Sequence, residues 1–409
     1  MINSGTMGMP LHFGKVPSFL TDRMGMMGDA VIESVVDNYG TSEVLTRMSD
    51  PNWFQAFGAV MGMHWNSSGV TATVLGSLKK RINPKAKDLG LYILGGKGKY
   101  SWYAPKQIER VSNAHNLDGE SLSKSCTLTR KIDNGAVQDG FNLYQHYFLL
   151  SDTGEWASIS QGMNPRTRRA RRYHWHAPTV KSFVEDPHSA IVGCEDQSVL
   201  NLVDSQADML RKNMVSLVRE APNEIVKAVK DVSLPNRHDV KKEDISLARL
   251  GSILDLAYNR GIEKFEDLVM LKGVGPRTLK AVALASEVIH GDATRFKDPA
   301  RFAFAVGGKD GMPHPIDTKA LDETIEMLQT SVDKAKLGDK EKSNALRRLH
   351  QVSVAGEGKG TPLDFLHDFI DSEWKHAEKN GGKTFLGNVV KGVTRQIIGQ
   401  ANGMLYDKR

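Results

Sequence analysis

The run Phe141-Asn142-Leu143-Tyr144-Gln145-His146-Tyr147-Phe148-Leu149-Leu150, then Ser151-Asp152-Thr153-Gly154, then Glu155-Trp156-Ala157-Ser158-Ile159-Ser160-Gln161, constrains this chain more than any other segment. Aromatic and β-branched residues favour extended backbone, and an Asp-x-Gly turn reverses it, so the segment specifies two antiparallel strands. Side chains alternate across a strand. Tyr144, His146 and Phe148 therefore share one face, and Gln145, Tyr147 and Leu149 the other. One of these polar-tipped faces is expected to line a cleft or meet water.

The chain has 409 residues, more than one domain usually holds, so two domains are expected. Apolar spacing predicts helices over residues 19–39, ended by Gly40, and 53–63. Val70, Thr71, Thr73 and Val74, and later Leu91-Tyr92-Ile93-Leu94, read as strands or buried segments with turns. A helix over 198–232 precedes a polar connection at 234–243, and beyond it helices are expected at 254–260, 265–271, 277–290, 318–328 and 363–379. The expected class is α+β. A mixed α/β N-terminal domain covers 1–195, a helix and linker 196–243, an all-α domain with a helix-hairpin-helix 244–350, and a helical extension 351–409.

Composition narrows the partners. Lys and Arg exceed Asp and Glu by six, which favours a polyanion. Two cysteines, Cys126 and Cys194, are too few and too far apart for a disulfide framework or a paired zinc motif, and fit a reducing cytoplasm. Residues 1–27 are interrupted by Lys15, Asp22 and Arg23, so neither a signal peptide nor a membrane span is expected there.

The sharpest functional motif is Leu271-Lys272-Gly273-Val274-Gly275-Pro276, set between an amphipathic helix and a second helix that proline starts. Glycines let backbone approach a phosphate, and the N–H groups and dipole of the second helix attract it. Lys272, Arg277 and Lys280 add charge, and Thr278 completes the first turn. Such an element contacts DNA phosphates without strong sequence specificity. Its blander reading is an ordinary glycine-capped connection between helices.

Two further groups carry candidate chemistry. Lys131, Asp133, Asp139 and His146 fall among turn-forming neighbours close to the strand pair. Asp133 and Asp139 would hold magnesium or manganese, lysine would neutralise a reacting phosphate, and His146 would move a proton. Arg166-Thr167-Arg168-Arg169-Ala170-Arg171-Arg172-Tyr173-His174-Trp175-His176 is the densest basic run. Its guanidiniums suit phosphates, while Tyr173 and Trp175 suit stacking on unpaired bases. Lys309, in Gly307-Gly308-Lys309-Asp310-Gly311, is a further phosphate candidate. Taken singly, these residues also read as turns, helix caps and solvated charges.

Pro315-Ile316-Asp317-Thr318 resembles the aspartate segment of helix-hairpin-helix DNA glycosylases, which implies that Asp317 assists base removal. Two departures stand against it: the separation from Gly275 is longer than in that superfamily, and Arg277 replaces the Schiff-base lysine of its bifunctional members. The chain as a whole resembles a prokaryotic family labelled domain of unknown function 763. The carrying segments include Pro10-Leu11-His12 with Gly14-Lys15, His64-Trp65 with Ser67-Ser68-Gly69, Gln138-Asp139-Gly140, Arg171-Arg172-Tyr173-His174-Trp175 and Gly307-Gly308-Lys309-Asp310-Gly311. That resemblance supplies no reaction. The leading expectation is a DNA-processing or repair protein with a metal-dependent nuclease site; the alternatives are a glycosylase using Asp317 and a non-catalytic DNA-binding accessory protein.

Overall fold

The computed structural model describes residues 9–11, 18–63, 68–193, 199–220, 222, 247–292 and 294–300, with 326, 328, 330, 332 and 333. All of them belong to one compact unit. His12, Lys15, His64, Cys194, Lys309, Asp317 and the helix expected at 363–379 lie outside the described residues.

The strands are β1 (Met9–Pro10), β2 (Leu91–Lys97), β3 (Val137–Gln138), β4 (Asn142–Ser151), β5 (Trp156–Asn164), β6 (Arg169–His176), β7 (Ala190–Val192) and β8 (Leu200–Asn201). An antiparallel sheet runs β1-β6-β5-β4-β2, with β7 also paired to β6, while β3 and β8 pair separately. The expected hairpin is β4 and β5, with Tyr147 opposite Ile159 and Leu150 opposite Trp156. Gly154, at φ 89°, supplies the left-handed conformation that closes the turn.

Helices cover both faces of this sheet. On one side lie α1 (Ser18–Tyr39), α2 (Thr41–Ser49), α3 (Pro51–Met61) and α4 (Ser68–Ile82); their Val31, Met48, Phe57 and Leu75 share a core with Ile93, Tyr147, Leu149 and Ile159. A short α5 (Ala86–Leu89) leads into β2. On the other side lie α6 (Ala104–His115), α7 (Gly119–Gly135), α8 (Asp208–Leu217), α9 (Leu247–Arg260), α10 (Phe265–Met270) and α11 (Pro276–His290). Their Ile108, Ile132, Met214, Leu268 and Val282 pack with Phe148, Leu150 and Trp175. The two helices flanking the glycine turn thus share a core with the central sheet.

The structure corrects or narrows several expectations. The helix expected over 198–232 begins only at Asp208, because Leu200–Asn201 form β8 and Ser205–Ala207 a 3-10 turn. Residues 145–151 are buried throughout, because both sheet faces are covered, so neither hairpin face meets water along its length, and the expected cleft is confined to the end of β4 where Tyr144, Gln145 and His146 line a cavity. Only the N-terminal end of β4 reaches the surface. Residues 70–74, read as strands or buried segments with turns, are buried but lie in α4, since Val70, Thr71, Val74, Leu75 and Leu78 fall at helical spacing and that stripe outweighs β-branched propensity. Residues 131–134, expected as a turn, form the last turn of α7. Among the described residues, no helix is long and apolar enough to cross a membrane.

Candidate nucleic-acid interface

Helix α7 separates the side chains expected to act together. Successive helical residues turn by about 100°, so Lys131 and Asp133 point to nearly opposite sides. Asp133 is fully buried, and its Oδ1 accepts from Trp175 Nε1 at 2.9 Å and His188 Nε2 at 2.7 Å; its Oδ2 has no hydrogen-bond partner. Asp139 accepts from Arg171 Nη1 at 2.9 Å, the Tyr173 hydroxyl at 2.6 Å and the Phe141 N–H at 3.0 Å. These carboxylates are committed to the fold, and no group of three or more His, Cys, Asp or Glu among the described residues could hold a metal ion. The expected magnesium or manganese pair does not fit them.

His146 is likewise structural. Its Nδ1 lies 2.8 Å from Ser160 Oγ and its Nε2 3.4 Å from Cys126 Sγ. Burial, with help from Arg130, pushes its pKa down to about 3, so the ring stays neutral and cannot trade protons near pH 7.

The basic run divides in the same way. Arg168 and Arg169 are exposed, but Arg171, Arg172, Tyr173 and Trp175 show no accessible surface, so the two aromatics present no face for a base. Arg171 joins Asp139 to Asp298, donating to the latter at 2.9 and 2.5 Å. Burial alone would lower Arg171; the Asp139 carboxylate, with Tyr173 and Asp298, outweighs it and raises the guanidinium above its ordinary value. Arg172 donates to His174 Nε2 at 2.9 Å and lies over the Phe54 ring, while burial pushes it down to about 9. On a strand covered on both faces, even arginines are drawn inside.

Lys131 instead turns toward the glycine motif. Its Nζ donates to Val269 O at 2.5 Å and Leu271 O at 2.8 Å, carbonyls at the C-terminal end of α10 that have no helical partner. Gln138 Nε2 joins Gly135 O to Pro276 O. The turn between α10 and α11 is therefore fastened to α7. Burial and neighbouring Arg130 push Lys131 down to about 8. Either protonation state keeps at least two N–H bonds to donate.

The turn itself is open. Gly273 has φ 92° and is exposed, with empty space where a Cβ would stand. Gly275 has φ −138°, which any residue adopts, and again nothing lies within 4 Å of an added Cβ. The fold does not demand glycine at 275; what its missing side chain provides is access to the backbone. Among the described residues, no acceptor bonds the N–H groups of Gly273, Gly275 and Arg277. Lys272 and Arg277 are exposed and Lys280 is half-buried, whereas Val274 and Thr278 are buried and anchor the turn.

Beside the turn is a cavity of about 410 Å³, lined in part by Trp102, Arg130, Lys131, Tyr144, Val274 and Gly275. Among the described residues, no Asp or Glu lines it. Arg130 and Lys131 have no carboxylate partner among the described residues. A larger depression, about 560 Å³, lies near α8, but its Arg211 and Lys212 already pair with Glu185 and Asp208. The smaller cavity is thus the better anion site.

The family described as a protein of unknown function (DUF763) matches residues 5–316. The chain belongs to the DUF763 family. Comparison with curated proteins and with solved structures finds no match. The DUF763 match contains every described residue that lines the cavity and both helices around the turn.

Sequence reasoning missed Arg130 and the aromatics beyond β2. The 3-10 turn Gly98–Tyr103 leaves Tyr100, Trp102 and Tyr103 exposed, and Arg130 lies 3.7 Å above the Trp102 ring. The run Gly95-Gly96-Lys97-Gly98-Lys99 is basic and rich in glycine, and the signal overlooked was the aromatic cluster that follows it. Gly95 is obligatory here, since a Cβ on it would stand 2.3 Å from the His146 carbonyl oxygen.

Proposed function

We propose that this protein binds DNA by its phosphate backbone, at the turn of residues 272–276, and serves in DNA processing or repair. The observation that carries this reading is the cavity beside that turn, whose described walls hold Arg130 and Lys131, neither paired with a carboxylate, and no Asp or Glu. N–H groups at the start of α11 that no acceptor among the described residues bonds lie where the helix dipole is positive, and they add directed donors for a phosphate oxygen. Exposed Lys272 and Arg277 extend the charge to the rim, in keeping with a chain whose net charge is +6. Reading the Leu271–Pro276 motif as a helix-hairpin-helix points the same way. Contacts of this kind hold any DNA sequence.

The test is duplex binding followed by fluorescence anisotropy across a salt series. The affinity of the parent should fall steeply with salt, and Lys272→Glu should bind on the order of tenfold more weakly with a salt slope shallower by about one. Gly275→Asp should weaken binding as well, by placing a carboxylate against the phosphate. If either variant binds as tightly as the parent at moderate salt, the turn is a structural connection only.

A further inference from the structure

We infer that the cavity beside the turn receives an unpaired DNA base stacked on Trp102, while the turn holds a neighbouring phosphate. The phosphate half of this statement rests on the function proposed above; the base half rests on different observations.

Trp102 is 68% exposed, and Tyr100 and Tyr103, on the same 3-10 turn, are 58% and 48% exposed. Large aromatics left in water so close together are the informative exception to burial, and they mark binding surfaces. The Arg130 guanidinium, 3.7 Å from the Trp102 ring centroid, covers one face of the indole and steadies it. With 68% of its surface accessible, Trp102 keeps ring surface open for stacking beside that contact. A nucleobase offers the flat π-surface that suits such a face, whatever its identity.

The cavity meets the other requirements. Its volume of about 410 Å³ lies within the range of small-molecule sites and has room for a base. Asn134, Asn142 and Gln145 line it beside the cations, and the Gln145 side-chain oxygen is buried without a hydrogen-bond partner among the described residues. Amide groups suit the donor and acceptor edges of a base, and the cations suit its phosphate. A base still paired in a duplex cannot reach a cavity of this kind without leaving the stack. The ligand class is therefore DNA with unpaired bases, whether single-stranded, gapped or flipped.

The experiment compares an oligothymidine with a blunt duplex, using the full chain and its variants Trp102→Ala, Trp102→Phe and Lys272→Glu. Trp102 is exposed, so its replacement leaves the core intact. Trp102→Ala should lose on the order of tenfold more affinity for oligothymidine than for duplex, and Trp102→Phe should restore most of the difference. Oligothymidine should quench tryptophan fluorescence in the parent, and less so in Trp102→Ala. Equal losses on both probes, no loss, or a Trp102→Phe variant as defective as Trp102→Ala would overturn the base site. Lys272→Glu separates the two readings. Trp102-dependent selectivity with full affinity in Lys272→Glu keeps the base site and removes the phosphate turn; a loss in Lys272→Glu with no Trp102 effect does the reverse. A parent that binds neither probe overturns both.

Discussion

His146 illustrates how burial decides what a side chain can do. The same ring in a loop would be a candidate proton carrier; between Ser160 and Cys126, with no accessible surface, it is held neutral. Its pKa falls from 6.5 toward about 3 on folding, so the unfolded chain binds the extra proton first as pH drops. Stability from this group is complete above pH 6.5 and is lost progressively toward pH 3, at up to about 1.4 kcal/mol per pH unit. His174, also buried and lowered by burial and Arg172, acts in the same direction. Denaturant unfolding between pH 7 and about 4 should show this decline, and His146→Gln should flatten it. An equal slope in both proteins would mean that His146 is accessible and titrates normally. Asp139 and Arg171 make the same point: with Asp298 they form a buried, mutually hydrogen-bonded set, so their charges serve packing rather than catalysis.

Helix α7 is the element that sorts the site. One side carries Arg130 and Lys131 to the cavity, and the other sends Asp133 inward to Trp175 and His188. Lys131 also fixes the C-terminal end of α10, so the position of the turn depends on it. Lys131→Met should leave the Val269 carbonyl without its Lys131 donor and the Leu271 carbonyl with only the Val274 N–H, at a cost of about 1–3 kcal/mol. Hydrogen exchange should then quicken in residues 265–276 while the amides of β4 and β5 stay protected. Unchanged exchange across the turn would show that the packing of Leu268, Val269 and Leu271 alone holds it.

For the whole molecule, the decisive fact is that helices cover both faces of the antiparallel sheet. The second layer includes α10 and α11, whose Leu268, Leu279 and Val282 share one core with Phe148 and Trp175. Unfolding of the sheet and of the turn-bearing helices should therefore coincide, because removing either exposes the apolar surface of the other. Tryptophan fluorescence and helical circular dichroism, followed through the same urea titration, should give one midpoint. A separate early transition of the helices would mean that they are an independent layer.

The sequence by itself determined what local chemistry controls. The β4–β5 hairpin, α1, and the helix-glycine turn-helix around residue 274 were legible because alternation, helical spacing, and glycine and proline placement act over a few residues. Family membership was legible too, through strings such as Arg171-Arg172-Tyr173-His174-Trp175. What those strings do was decided by tertiary structure. A run of arginines and aromatics reads as a surface until a sheet covered on both sides encloses it, and Asp133 reads as a ligand until α7 turns it away from Lys131. Conversely, nothing local announces that Trp102 and Arg130, 28 positions apart, meet at 3.7 Å beside the glycine turn. Burial and proximity depend on which distant segments pack together, and that is set by the whole chain folding at once.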